Sequence, residues 1–414
     1  MVTMAPPPFE VADVIRLFGE DYLRLYGAST TPQQRQVLAA IQACRTAALG
    51  GHLDVCDHCG HEVPSYNSCR NRHCPKCQAS ASAVWLQERA SQLLPVPYFH
   101  VVFTLPDLLR PLVLQNKRLL YGLLFDAASQ TLTRIAADPK HLGAQLGFLG
   151  VLHTWSQTLL DHPHVHFVVT GGGLSPDRSQ WIPSAPEYLL PVQVLSALFR
   201  GVFLALLERH YVKGDLRLHG RLETLRDPPA FHRLLRKLRS KSWVVYAKKP
   251  WAGPEHVLRY LARYTHRIAI TNHRIHAINN GRVTFWWKDY ANKNRKRLMT
   301  VTGVEFIRRF LLHVLPRGFV RIRHYGLLAN RHREENLRLC RRLLNRSASA
   351  APDPQDADQA TPPPADAASA SASPEPERPC PACGLGHLRR GRELRPGAVH
   401  CPPTTVPRAP RDTS

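Results

Sequence analysis

The sequence predicts an α+β protein: antiparallel strands and long helices, preceded by a small metal-bound module. Three observations carry this. Apolar runs of strand character recur at 98–106, 145–155 and 162–170, with helical stripes around them. Two Cys-x-x-Cys pairs stand close together near the N-terminus. After residue 345 apolar periodicity stops and Ala, Ser, Pro and Asp take over, the composition of a disordered linker over 346–379.

In chain order, residues 9–48 read as two helices, the second starting at Thr31-Pro32 with Thr at the cap and Pro in the first turn. Cys56-Asp57-His58-Cys59 and Cys74-Pro75-Lys76-Cys77 follow, fourteen residues apart. Each pair can give two thiolates to one tetrahedral ion, so Cys56, Cys59, Cys74 and Cys77 are expected to bind one structural zinc. Cys69, His73 and His58 are surplus donors that could replace a member. Arg70, Arg72 and Lys76 beside the knuckle are candidate phosphate contacts, or simply a solvated face. A helix is expected from Ala79 to Leu94, then a strand from Tyr98, an amphipathic helical region over 107–137 and a strand over Gln145–Trp155.

The centre of the chain is His162-Pro163-His164-Val165-His166-Phe167-Val168-Val169-Thr170. On a strand, alternate side chains share a face, so His164 and His166 point the same way and Val165 points into the core. His153 would sit beside them if 145–155 is the hairpin neighbour. Three imidazoles with positions left open suit a catalytic divalent cation. The plainer alternative is a set of core histidines bonded to backbone. Asp161, His162 and Glu255 are reserve ligands. Gly171-Gly172-Gly173 is expected to end the strand.

Helices are expected at Val192–Tyr211 and Ala230–Arg239, and a strand at Trp243–Ala247. The stretch from Pro254 to Arg267 reads as a helix with Tyr260 and Tyr264 on one face and Arg259, Arg263 and Arg267 in a parallel row. Asn280-Gly281 is a hairpin turn. Lys293, Arg295, Lys296 and Arg297, interleaved with Phe285, Trp286, Trp287 and Tyr290, provide cations for phosphates and rings for bases, as single-stranded DNA requires. A basic strand at 321–326 and a basic helix from Arg331 to Leu344 follow. Beyond the linker, Cys380-Pro381-Ala382-Cys383, with His387, His400 and Cys401, is read as a second small zinc knuckle or a tail.

The net charge of +24, from 55 Lys and Arg against 31 Asp and Glu, argues for a polyanionic partner. No apolar run approaches the roughly 20 residues that span a bilayer, and the N-terminus lacks a signal-peptide pattern. A membrane partner is therefore not expected, and the expected location is cytoplasmic. Cysteines paired as Cys-x-x-Cys in such a protein point to metal, not disulfides.

Phe103-Thr104-Leu105, His164-Val165-His166 and Tyr260-x-x-x-Tyr264, in this order, resemble the three motifs of the His-hydrophobe-His (HUH) single-strand endonucleases. With the N-terminal cysteine pairs, residues 30–335 look like a two-tyrosine rolling-circle transposase of the insertion sequence 91 type. The resemblance implies a ferredoxin-like HUH palm at 96–345, between a helical, zinc-ribbon-like domain at 1–95 and a tail that includes 380–414. It also implies Tyr260 and Tyr264 as nucleophiles and His164 and His166 as ligands of Mg²⁺ or Mn²⁺. His153 matches the third-ligand spacing of one branch, the relaxases. The implied partners are single-stranded DNA at element ends and target DNA, with no nucleotide cofactor, a homodimer as one option, and work at the bacterial nucleoid. A relaxase or replication initiator with the same chemistry, a non-catalytic zinc DNA-binding protein and a water-activating metallohydrolase are the alternatives.

Overall fold

The computed structural model describes residues 7–78, 92–187, 189–251, 268–290, 292–349 and 378–397. Two N-terminal helices, α1 (Val11–Tyr26) and α2 (Pro32–Ala43), lead in. The Thr31 hydroxyl accepts from the Gln34 N–H, and the Gln34 side chain reaches back to the Thr31 N–H, the capping box expected at Thr-Pro. A short hairpin follows, β1 (Gly51–Cys56) and β2 (Glu62–Tyr66).

The centre of the molecule is an antiparallel sheet. Its strands are β3 (Tyr98–Thr104), β4 (Gln145–Trp155), β5 (Asp161–Leu174), β6 (Trp181–Pro183) and β7 (Val245–Trp251). Between β3 and β4 run α3 (Arg110–Gln115) and α4 (Lys117–Ala137). Between β6 and β7 run α5 (Val192–Val212) and α6 (Pro228–Arg239). With a later edge strand, β11 (Ile322–Gly326), the sheet order is β11-β4-β5-β3-β7, and β6 pairs with the far end of β5. Without β6 and the added edge strand, this is β-α-β-β-α-β with fourth, first, third and second strands side by side, the ferredoxin-like arrangement.

Further on, β8 (Ile275–Asn279), β9 (Arg282–Asp289) and β10 (Arg295–Thr302) form a separate three-stranded sheet. The β8–β9 turn is Asn280-Gly281, both at positive φ, as an Asn-Gly hairpin demands. Helix α7 (Gly303–Leu312), edge strand β11 (Ile322–Gly326), helix α8 (Arg333–Ser349) and strand β12 (Leu388–Leu394) complete the described chain. β10 was not foreseen: its leading residues Arg295, Lys296 and Arg297 stood out only for their charge, yet they pair with β9 from Arg295↔Asp289 onward.

Alternation gives β5 two unlike faces. Val165, Phe167 and Val169 are buried against Phe103, Phe125 and Phe199 under α4 and α5. Each such side chain contributes roughly 1.5–3 kcal/mol, which fixes the register and forces His162, His164 and His166 to the opposite face. The far end of that second face is covered by α8, where Val168 and Leu149 meet Leu337, Cys340 and Leu343. The three glycines do not end β5. The strand continues through them to Leu174, and a Cβ at Gly173 would lie 2.3 Å from the Gln145 carbonyl oxygen. They are there for close backbone approach.

The cores do not divide at 95/96. Val14, Val37 and Ile41 of the N-terminal helices share one core with Phe285 of β9, Val301 of β10 and Phe306 of α7. Among the described residues, no helix is long and apolar enough to cross a membrane.

Candidate active site

The histidine strand lies in the middle of the sheet, with β4 on one side and β3 on the other. The register sets His153 directly opposite His164, and Val151 opposite His166. The ligand nitrogens of His153, His164 and His166 lie within 4.8 Å of one another. Ring centroids are 4.3 Å apart for His153–His166 and 4.8 Å for His164–His166. The sequence therefore named three side chains that the fold does bring together.

Two contacts orient the rings. His164 Nδ1 lies 2.6 Å from the His162 carbonyl oxygen. A carbonyl only accepts, so Nδ1 carries the proton and Nε2 presents its lone pair. His166 Nδ1 lies 2.8 Å from His100 Nε2, with the two rings 5.0 Å apart and 3° from parallel. His100 comes from β3, two residues along from Val102, the register partner of His166. Burial pushes the His164 and His100 imidazoles down to about 3, and His166 well below its ordinary value; neighbouring imidazoles add to the effect at His164 and His166, and Lys248 at His100. Neutral imidazoles are the ligating form, so the donor set fits a divalent cation.

The reserve ligands separate clearly. Asp161 is on the opposite face of β5, 1% exposed among the helices, and cannot join the cluster. His162 shares the histidine face, but its Nδ1 is 4.0 Å from Asp107. Glu255 lies outside the described residues, as do Tyr260, Tyr264, Arg259, Arg263 and Arg267. By contrast His313, 1% exposed, is a satisfied core histidine: Nδ1 meets the Thr154 hydroxyl at 3.1 Å and Nε2 the Leu159 carbonyl at 3.0 Å.

The cysteines assemble differently from the expected single quartet. Cys74 and Cys77 gather with Cys44 and Cys69, whereas Cys56 and Cys59 gather with Cys380 and Cys383. In the first group Cys77 Sγ is 3.6 Å from both Cys44 Sγ and Cys69 Sγ. Four thiolates at about 2.3 Å from one zinc stand about 3.8 Å apart, so this spacing fits the metal. The group is seated on the palm: the Leu315 N–H donates to His73 Nε2 at 3.1 Å and Arg72 donates to the Phe319 carbonyl at 2.9 Å.

Residues 14–105 match the family model described as "Transposase zinc-binding domain", and residues 147–336 match the one described as "Putative transposase". The chain is 30% identical over 313 residues to the "Transposase for insertion sequence element IS801" of Pseudomonas savastanoi pv. phaseolicola, covering 72% of this chain and 70% of that one. It is 52% identical over 379 residues to "Putative transposase y4qJ" of Sinorhizobium fredii, covering 92% and 94%. The protein is a transposase of the insertion sequence 91 family. No solved structure matches the transposase.

The basic residues of the transposase fall into two sets. Lys76 pairs with Glu10 at 2.6 Å and Arg72 holds the palm, so of the three cations near the knuckle only Arg70 faces solvent. The three-stranded sheet is different. Lys293, Arg295, Lys296 and Arg297 are all exposed, although Arg297 also reaches Asp289 at 3.2 Å. Lys288 and Lys296 stand directly opposite each other, next to the opposed pair Trp286 and Leu298. Two like charges side by side are unfavourable without an anion between them. This sheet is fastened to the β4–β5 turn: Gln157 donates to the Tyr290 hydroxyl at 3.0 Å and accepts from the Lys288 N–H of β9 at 3.5 Å, while Arg309 of the following helix α7 donates to the Thr158 carbonyl at 3.0 Å. The cationic, aromatic surface is thus anchored to the turn between the two histidine-bearing strands.

Proposed function

We propose that this transposase nicks and joins single-stranded DNA at the ends of its mobile element through a 5′-phosphotyrosine intermediate. The observation that carries the reading is the open imidazole triad on β4 and β5. The basic sheet anchored beside it and the Tyr260-x-x-x-Tyr264 pair that follows β7 in the chain support it. His153, His164 and His166 would hold the divalent ion, which when bound supplies Lewis-acid polarisation of the scissile phosphate; an all-imidazole set suits Mn²⁺ better than Mg²⁺.

The chain's own groups do the rest. One of Tyr260 and Tyr264 attacks phosphorus with its phenolic oxygen. A tyrosine O–P bond forms, the P–O3′ bond breaks, the phenol proton passes to water and the departing 3′ oxygen takes one up. One phosphodiester replaces another, so bond energy is conserved and no nucleotide hydrolysis is needed. The second tyrosine takes the second strand or reverses the first cut at the target. Trp286 and Tyr290 stack bases while Lys288, Lys293 and Lys296 follow the backbone of an opened strand. Work on DNA of this kind would be done at the nucleoid.

The test is covalent capture. With a labelled single-stranded element end and Mn²⁺, the protein is expected to give a denaturant-resistant adduct, and Tyr260→Phe with Tyr264→Phe to give none. An adduct formed by the double variant would overturn the nucleophile assignment.

A further inference from the structure

The C-terminal cysteine pair is not an independent knuckle. We propose that Cys56, Cys59, Cys380 and Cys383 form a second zinc site, one that clasps the C-terminal segment onto the N-terminal zinc-binding domain. The segment lies beyond both matched family regions.

Four observations meet here. The cross-pair sulfur distances are 3.8 Å for Cys56–Cys383 and 3.7 Å for Cys59–Cys380, between residues 327 and 321 apart in sequence. Those are the edges of a tetrahedron with arms of about 2.3 Å. The two knuckles also have one design. Each reads Cys-x-x-Cys-Gly, with Gly60 at φ +71° and Gly384 at φ +66°. In each, the glycine N–H donates to the carbonyl of the first cysteine, at 3.1 Å for Gly60 and 2.9 Å for Gly384. Backbone N–H groups point at the sulfurs, from His58 to Cys56 at 3.4 Å and from Gly386 to Cys383 at 3.5 Å, as thiolate ligands favour.

The surrounding contacts are equally specific. β12 adds antiparallel to β1 from Gly51↔Leu394 to Cys56↔Leu388, making β1 the middle of three strands. Arg378 reaches Asp54 at 2.6 Å and Arg389 reaches Asp57 at 3.1 Å. The His387 N–H donates to the Asp57 carboxylate at 2.7 Å, and the Asp57 N–H to the His387 carbonyl at 3.1 Å. A Cβ at Gly386 would fall 2.7 Å from Cys56 Sγ, so only glycine lets the two knuckles close on one ion. Two sulfurs from either pair alone leave the ion half-coordinated. Zinc is what converts this sheet addition into a fixed attachment.

The experiment uses the full-length protein with a protease site inserted between residues 350 and 377. After cleavage of the zinc-loaded protein, the C-terminal fragment is expected to stay with the body through gel filtration and to leave when zinc is chelated. In Cys380→Ser/Cys383→Ser the fragment should leave without chelation. Cobalt substitution gives the second readout, because thiolate-to-cobalt absorption excludes imidazole sites. Its intensity should fall by half in that variant, with the Cys44 quartet still loaded. A fragment that separates from the zinc-loaded wild type, or one that stays attached in the double serine variant, overturns the clasp. So does unchanged cobalt–thiolate intensity.

Discussion

The cysteine quartets and the histidine triad are both clusters of soft or borderline donors, yet they are built on opposite plans. Each quartet offers four thiolates and closes around its centre, held by turns and backbone N–H groups. The triad offers three imidazoles from neighbouring strands of one sheet, all on one face. A closed donor set stabilises a fold, and an open one leaves room for a substrate oxygen. The difference teaches that donor count and backing matter more than the mere presence of ligating residues.

The contrast can be broken most sharply by comparing one variant from each. His164→Ala should lower adduct formation by a factor on the order of 10³ or more while the melting temperature stays near that of the wild type. Cys44→Ser should do the reverse first, lowering the melting temperature and releasing zinc, since metal binding and folding are one free energy in such modules. If His164→Ala unfolds the protein or Cys44→Ser leaves its melting unaffected, the division between an open working site and a closed structural one is wrong.

A smaller effect tests the orientation of the triad. His100 touches His166 but belongs to neither the expected ligands nor the opposite face. His100→Ala should weaken Mn²⁺ binding by about 10–100-fold, the usual cost of losing such a support. Saturating Mn²⁺ should largely restore the cleavage rate. A loss that no metal concentration repairs would make His100 more than a positioning residue.

The smallest effect concerns Asp161, the acid on the same strand that the triad does not use. Burial pushes its carboxyl up to about 6 from 3.8, against the favourable charge of Lys117. The folded protein then holds a proton that the unfolded chain releases, so this group's contribution falls as pH rises from about 4 to about 6 and stays low above that. Asp161→Asn should therefore gain stability relative to the wild type over that window, reaching about 2–3 kcal/mol at neutral pH. Parallel stability curves for the two proteins would show that the carboxyl is not strained.

Local signals carried the individual strands and the triad, whereas the ferredoxin-like arrangement of those strands came only from the family resemblance. The apolar runs predicted β3, β4 and most of β5, because a two-residue period and a buried face are written in consecutive residues. Side-chain parity alone put His164 and His166 together. Partners set by register or by distant chain were not legible. His100 joins the cluster only because Val102 pairs with His166, which no local pattern encodes. Cys44 stands outside any Cys-x-x-Cys pair, so nothing local marks it as a ligand. The expected pairing of Cys56 and Cys59 with Cys74 and Cys77 followed from nearness in sequence, but the fold matches knuckles by turn type: Gly60 and Gly384 follow their pairs, whereas Gln78 follows Cys77. That repeated glycine was the available signal.

The pairing of β1 with β12 has a consequence for how the molecule is made. During synthesis β1 leaves the ribosome more than three hundred residues before the strand that covers its outer edge, as the 321-residue interval between Cys59 and Cys380 shows. Until residues Leu388–Leu394 have been made, that edge stays open to any passing strand. A polypeptide released early from a broken message can never close it, and so betrays its own incompleteness by sticking.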